Sequence, residues 1–432
     1  MRMLPSILGS VLFLFSSLAY GQPRQLRLSD AIQAALENNA NVQITQELQV
    51  QAGARAKEQR AVLLPNVNGT AGYVNQTINL GARGIRFPGF PIPATVGPFG
   101  TFDVRAQFTE PILDLSLIRR YQSARRSADA TEFDTAAVRN RVAAMVAGLY
   151  FGVQRSRALV DSAKAQIDLD QNLLKLARDR RDAGVGTGLD VTRAESRLAA
   201  DQHRLLQAQN DARTAELRLL RAMGERPGNQ LDLADSMTAS ILTVDPVETA
   251  VSTALKNRPE IKAEETRAEA ARIASRGSGA ERLPTIQAFA DYGNNGSSDV
   301  FVPTNSVGLQ VQIPLFDGGR RSAHRTTAES QQRQAEIRAR DLRDEIEFDV
   351  RVAVDNLASA REQLRAADQA LTLAQQELEL ARLRFEAQVT TQSDVVNAQT
   401  QLADARSRQV NAVYVLKSAE IEYQRATGVE IR

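Results

Sequence analysis

Cysteine and tryptophan are absent from this 432-residue chain, and histidine occurs only twice. Without cysteine there is no disulfide framework, no thiolate nucleophile, no cysteine metal site and no thiol to carry a lipid at a processed N-terminus. His203 lies on a polar helical stretch and His324 near a helix start. Neither has a second ligand at metal-binding spacing, so both read as bland. No Ser/His/Asp set, carboxylate dyad or phosphate loop stands out, so neither an enzyme nor a cofactor is expected. A charge of one sign is lacking too. With 53 Lys and Arg against 51 Asp and Glu, the net charge is +2, and no basic field points to nucleic acid. Beyond the N-terminus no apolar run is long enough to span a bilayer as a helix.

The N-terminus itself reads MRMLPSILGSVLFLFSSLAYGQ. Arg2 supplies the positive region, Ile7 to Leu18 is largely apolar, and small residues allow cleavage after Ala19 or after Gly21. This predicts a signal peptide over residues 1–21. Long stretches rich in glutamine, alanine and arginine follow, with aromatics at 5%. That is the composition of solvated helices with a small-residue seam.

The chain then repeats itself. LLPNVNGTAGY (Leu63 to Tyr73) resembles RLPTIQAFADY (Arg282 to Tyr292), with Pro65 and Pro284 219 residues apart (284 − 65). EPILD, ending at Asp114, resembles IPLFD, ending at Asp317, at an offset of 203 (317 − 114). GVGTGLDV (Gly184 to Val191) lies over QVTTQSDV (Gln388 to Val395) at 204 (394 − 190). The first copy has 16 extra residues (219 − 203) between Tyr73 and Glu110, including the Pro/Gly loop FPGFPIPATVGPFG. A period this long indicates two copies of one structural unit rather than a solenoid.

Each unit reads helix, strand, loop, strand, very long helix, tight turn, long helix. The strands are expected near Asn66–Gln76, Thr101–Leu113, Thr285–Gly293 and Ser306–Phe316. Val307, Leu309, Val311 and Ile313 alternate with Gly308, Gln310 and Gln312. Phe102, Val104, Ala106 and Phe108 alternate with Asp103, Arg105, Gln107 and Thr109. Period two with one apolar face predicts a sheet wetted on one side only, and about ten residues per strand suits a membrane barrel. Pro314 and Gly318-Gly319 predict a sharp exit from strand to helix. Tyr73, Tyr292, Phe99, Phe102, Phe108 and Phe301 are candidates either for interfacial girdles or for plain core.

In the helical parts Val350, Leu357, Leu364, Leu371, Leu378 and Phe385 recur every seven residues. So do Ala353, Ala360, Ala367, Ala374 and Ala381. Val146, Val153, Val160, Ile167 and Leu174 repeat the pattern in the first half, and Ala398, Ala405, Ala412, Ala419 and Ala426 carry it after the second turn. Sustained heptads of large and small residues predict antiparallel coiled-coil hairpins. A continuous helix from Ser116 to Asp182 would reach about 100 Å. Asp190 and Asp394 can cap the returning helices. Four strands cannot close a membrane barrel, which needs at least about eight, and an open edge in lipid is prohibitive. Several chains must therefore pool strands: eight from two, twelve from three, sixteen from four.

Taken in order, RLSDAIQAALENNANV, its repeat VETAVSTALKNRPEI, LLPNV, RLPTI, PLFDGGRR, GVGTGLDV and TTQSDVV resemble the TolC-type outer-membrane efflux protein family over essentially the whole mature chain. The resemblance implies an α+β membrane protein, a homotrimer whose protomers each give four strands to a twelve-stranded barrel in outer-membrane lipid. A tunnel of coiled-coil hairpins crosses the periplasm inside a mixed α/β belt that includes Glu225 to Val244. It docks with a periplasmic adaptor and an inner-membrane pump and acts as a passive export duct, in a tripartite efflux pump or a type I secretion system. The expected organisation is a first repeat over 22–224, an equatorial segment over 225–244 and a second repeat over 245–432.

The family's hairpin tips form the periplasmic entrance and meet the adaptor. Carried over, the first tip is Gly184, Val185, Gly186, Thr187, Gly188, Leu189 and Asp190; the second is Gln388, Val389, Thr391, Gln392 and Ser393. Gln388 stands where glycine is usual. The constriction maps to Asp394, Asn397, Phe385 and Thr390, with Asn397 where the family has a second acid and Thr390 where it has an arginine. A ring of Asp394 carboxylates would favour cations; helix capping is the plainer role for the same residue. The reading from another class is a secreted coiled-coil structural or adhesive protein. It accounts for the heptads but not for four amphipathic strands or for the duplication.

Overall fold

Leu64-Pro65 and Leu283-Pro284 each end a helical run and hand the chain to a strand. Proline has no N–H to give the helix and pushes the preceding residue out of the helical region. A computed structural model describes residues 25–84, 93, 95–228, 231–235, 237, 242–297, 299–387 and 389–431, save for the side chains of Arg83 and Gln392. The signal-peptide expectation and residues 87–92 and 94 of the Pro/Gly loop lie outside these.

The first half runs β1 (Gln25–Leu26), α1 (Leu28–Asn38), α2 (Ala40–Ala61), β2 (Asn66–Asn79), β3 (Thr95–Leu113), α3 (Leu115–Asp182) and α4 (Gly188–Met223). After β4 (Asp232–Leu233), the second half runs α5 (Val247–Asn257), α6 (Pro259–Ala280), β5 (Thr285–Gly296), β6 (Phe301–Gln312), α7 (Arg320–Glu386) and α8 (Gln392–Thr427). At 68 and 67 residues, α3 and α7 are each about 100 Å long.

The long strands form one antiparallel sheet in the order β2-β3-β5-β6. Because β2 leaves α2, β3 enters α3, β5 leaves α6 and β6 enters α7, the helices below keep that order: α2, α3, α6, α7. Towards the far end α4 takes over from α2 and α8 from α6. The hand-over points are glycine caps with positive φ, Gly224 (+75°) and Gly428 (+69°). A Cβ on Gly224 would lie 2.5 Å from the Asn38 carbonyl oxygen, so only glycine lets α4 dock on the α1–α2 junction. Asn39 secures that junction by donating to the Ala222 carbonyl at 2.7 Å.

Burial follows the heptads. Val350, Ala353, Leu357 and Ala360 are at most 1% exposed, while Ala398, Leu402 and Ala405 are at most 3%. Val146 and Val153 are fully buried. Around them α1, β1 and β4 form a belt, where the buried Tyr150 hydroxyl lies 2.9 Å from the Leu26 carbonyl and 3.0 Å from Asp235. Ala367 also packs against this seam, but it is only half-buried.

Five strand limits differ from the sequence-based expectation, two of them because β2 and β5 run on to Asn79 and Gly296 rather than ending at Gln76 and Gly293. β6 runs Phe301–Gln312, not Ser306–Phe316. Pro303 is tolerated inside it because β6 is an edge strand with a neighbour on one side only. Its ladder stops before Pro314, leaving Leu315 and Phe316 90% exposed. Gly318 and Gly319, at φ +66° and +87°, then redirect the chain, and Asp317 accepts from the Gly319 and Arg321 amides at 3.2 and 3.0 Å. β3 starts at Thr95, so the end of the expected Pro/Gly loop is strand, with a register irregularity opposite Gln76 and Ile78.

Candidate functional site: the hairpin tips and the sheet faces

A long helix reverses cheaply when a left-handed residue closes its last turn and a polar side chain caps the next helix. The first tip uses both devices. Gly184 (φ +74°) donates to the Arg181 carbonyl at 2.9 Å, and Val185 to the Arg180 carbonyl at 3.0 Å. A Cβ on Gly186 would lie 2.8 Å from the Arg181 nitrogen, so this position also requires glycine. Thr187 is the N-cap. Its hydroxyl accepts from the Asp190 amide at 3.2 Å, while Asp190 Oδ2 accepts from the Thr187 amide and hydroxyl at 3.1 and 2.6 Å.

The second tip is built alike. Val389 donates to the Arg384 carbonyl at 2.9 Å. Asp394 Oδ2 accepts from the Thr391 amide and hydroxyl at 3.2 and 3.1 Å and from the Thr390 hydroxyl. Gln388 lies outside the described residues, as does the Gln392 side chain. The two acids thus sit one turn inside their helices and reach back to threonine caps, rather than being the caps themselves. Bonding to the Thr187 hydroxyl holds the Asp190 carboxyl below its usual range, and bonding to the Thr390 hydroxyl does the same for Asp394. Both are therefore charged at neutral pH.

Exposure separates the candidates. Val185, Leu189 and Val389 are 61%, 57% and 77% exposed, large apolar side chains at the ends of the molecule. Thr187, Gly188, Thr391, Ser393, Asp394 and Asn397 are exposed, and Asp190 and Thr390 are half-buried. Phe385 is not presented at the surface. It packs with Leu173, Val395 and Ala398, and the Arg180 guanidinium stacks 4.4 Å from its ring centroid. That stack joins the α3–α4 hairpin to the α7–α8 hairpin. Sequence reasoning missed Arg180, because nothing local couples two residues so far apart in the chain.

At the other end, strand register puts Val67 and Tyr73 of β2, Val104 of β3, Tyr292 of β5 and Val307 and Leu309 of β6 on one face. They are 49–85% exposed, and Tyr73 packs on Phe102 with ring centroids 4.8 Å apart. The opposite face is mainly polar, with Val74, Phe289 and Val302 among its Asn, Gln, Thr, Gly and charged positions. No helix among the described residues is long and apolar enough to cross a membrane, and no cluster of three His, Asp or Glu able to hold a metal occurs among them.

The family described as Outer membrane efflux protein matches residues 31–225 and 250–429. The chain is similar to the pyoverdine export outer membrane protein OpmQ of Pseudomonas aeruginosa, at 27% identity over 312 residues. That match covers 71% of this chain and 64% of OpmQ, so the chain spans less than two thirds of that relative's length. It is also similar to the alkaline protease secretion protein AprF of the same species, at 23% identity over 431 residues, covering 96% and 86% of the two chains. Among solved structures, the CmeC outer membrane channel of Campylobacter jejuni superposes with a TM-score of 0.81 at 17% identity, covering 93% of this chain and 85% of CmeC.

Proposed function

The chain belongs to the outer membrane efflux protein family, and from that premise we propose that it is a passive export duct. It carries substrates from a periplasmic adaptor and an inner-membrane pump across the outer membrane, as part of a tripartite efflux pump or a type I secretion system. One observation carries the reading: the protomer is open on two sides along its whole length. β2 and β6 are both edges of one sheet whose apolar face is bare. Below them Ile44, Leu48 and Leu206 lie exposed along the α2–α4 side, and Phe348, Leu373 and Leu380 along α7.

In lipid each unpaired backbone group costs several kcal/mol, so both edges must be covered. Head-to-tail contact does this, with β6 of one protomer against β2 of the next, and it closes as a ring. Three copies give twelve strands, with the bare face towards lipid and the polar face towards water. The exposed apolar helix edges meet along the same seams. We read residues 22–224 and 245–432 as two repeats that supply alternate sectors of the wall, joined through 225–244.

At the far end Val185, Leu189 and Val389 offer apolar contacts to the adaptor, together with the rest of the two tips. Asp394, with Thr390 and Asn397 beside it, lines the constriction, and Phe385 supports it from inside the hairpin. The experiment is mass determination by light scattering after extraction in mild detergent. The expected result is a mass of three chains. A stable monomer retaining its sheet signal would sink the reading, because one protomer cannot cover its own edges.

A further inference from the structure

The four long strands hold four charged residues: Asp103, Arg105 and Glu110 on β3 and Asp291 on β5. Alternation sends Glu110 to the apolar face with Val104 and Ala106, and the other three to the polar face. There they form a single cluster. Arg105 holds Asp103 through two parallel bonds, Nε to Oδ1 and Nη2 to Oδ2, both 2.6 Å. Its Nη1 donates to Asp291 Oδ1 at 3.1 Å. Asn295 donates to Asp103 at 3.0 Å, and the Ser306 hydroxyl donates to Asp291. The cluster spans β3, β5 and β6 at mid-sheet, and every other side chain on that face of the strands is uncharged.

Two carboxylates face one guanidinium, so the cluster carries a net charge of −1. The guanidinium is committed on all three nitrogens and has little left to offer a passing anion. The acids keep contact with water, with side chains 39% exposed at Asp103 and 20% at Asp291. A pair that only stitched strands together would need one acid. The second acid leaves this face negative.

We propose that Asp103, Arg105 and Asp291 form an ion-discriminating belt on the bore wall of the barrel, favouring cations over anions. The proposal rests on the duct reading above. When protomers close into a ring, their clusters fall at one height and supply all the fixed strand charge that faces the bore. Lipid behind a thin wall focuses the field into the water. The belt lies at the opposite end of the molecule from Asp394, so the two act separately.

The test is the reversal potential of the purified full-length protein in planar bilayers under a KCl gradient. Arg105→Gln doubles the net charge of the belt and should shift the potential towards stronger cation preference. Asp291→Asn neutralises the belt, while its amide oxygen still accepts from Arg105 and its amide nitrogen can donate to the Ser306 hydroxyl, and should shift it the other way. Glu110→Gln removes the same charge from the lipid-facing side and should leave the potential unchanged. The shifts should shrink near 1 M salt, where screening acts within about 3 Å.

Opposite shifts support the belt. Conducting variants that both keep the original potential, or that both move in one direction, overturn it and leave the duct intact. Should Arg105→Gln fail to assemble, Asp291→Asn decides alone, and an unchanged potential refutes the belt. If the unmodified protein forms no channel, the duct reading falls and the belt with it.

Discussion

Asp394 is bonded through one oxygen to Thr391 and Thr390, yet it stands exposed at the tip that we place round the threefold axis. Asp190 makes the same cap from a half-buried position. If only capping mattered, Asn at either site would be tolerated alike, because it still accepts through its amide oxygen. A charged constriction separates them. Asp394→Asn is expected to lower cation preference in single-channel recordings, with a smaller effect from Asp190→Asn. Equal and unchanged selectivity in both would remove Asp394 from the pore.

A second pair of acids lies inside the first hairpin. Asp170 and Asp201 are 1% and 2% exposed, on the rows that hold Ala374 and Ala405 in the second hairpin at the 204-residue offset (394 − 190). Gln166 donates to Asp170 at 3.0 Å, and Arg204 and Arg197 lie 2.8 Å from Asp201. Burial, reinforced by the neighbouring Asp201, pushes the Asp170 carboxyl up to about 7. A raised carboxyl stabilises the fold fully below its unfolded value of about 4, and that contribution is lost as pH rises through about 7. Thermal unfolding followed by helical circular dichroism should thus show a loss of stability between pH of about 4 and about 7, and Asp170→Asn should flatten it. A variant with the same pH dependence as the original protein would show that no proton is held there. The sequence contains both acids, but only the facing of α3 and α4 makes them neighbours.

Among the elements, the long helices were the most legible. A seven-residue repeat held over many turns admits one solution, a helix with its apolar seam turned to a partner. Ala360, at 1% exposure, has no room for a larger side chain, and Ala360→Leu should cost about 1–3 kcal/mol of stability. An unchanged melting temperature would take it out of the seam. Ala367 carries the same heptad letter but is only half-buried, so the repeat locates the seam without grading its depth. The strands were less legible. Their cores followed from alternation, but β6 begins five residues before the expected start because an edge strand tolerates Pro303. Its status as an edge depends on sheet order, which no local pattern encodes.

At the scale of the whole molecule, one strand order serves both the sheet and the helices beneath it. Every long connection runs straight on from strand to helix or helix to strand, so neighbours in the sheet remain neighbours far below it. This leaves both open sides on the same two flanks of the protomer from end to end. In the ring proposed above, closure would therefore cover backbone edges in the sheet and apolar side chains on the helices in one contact.

The sequence by itself determined the periodicities and the duplication, because each is written in spacing along the chain: seven for a coiled seam, two for a half-wet strand; at the tips it pointed to Asp190 and Asp394 as caps, whereas the structure gives the N-cap position to Thr187 and Thr391. Only the tertiary structure decided which distant side chains meet. The Arg180–Phe385 stack, the Asp170–Asp201 pair and the Arg105 cluster each join residues brought together by the packing of hairpins or strands. Contacts of that kind depend on the order and register of packed elements, and a one-residue shift in a strand would send Arg105 to the opposite face.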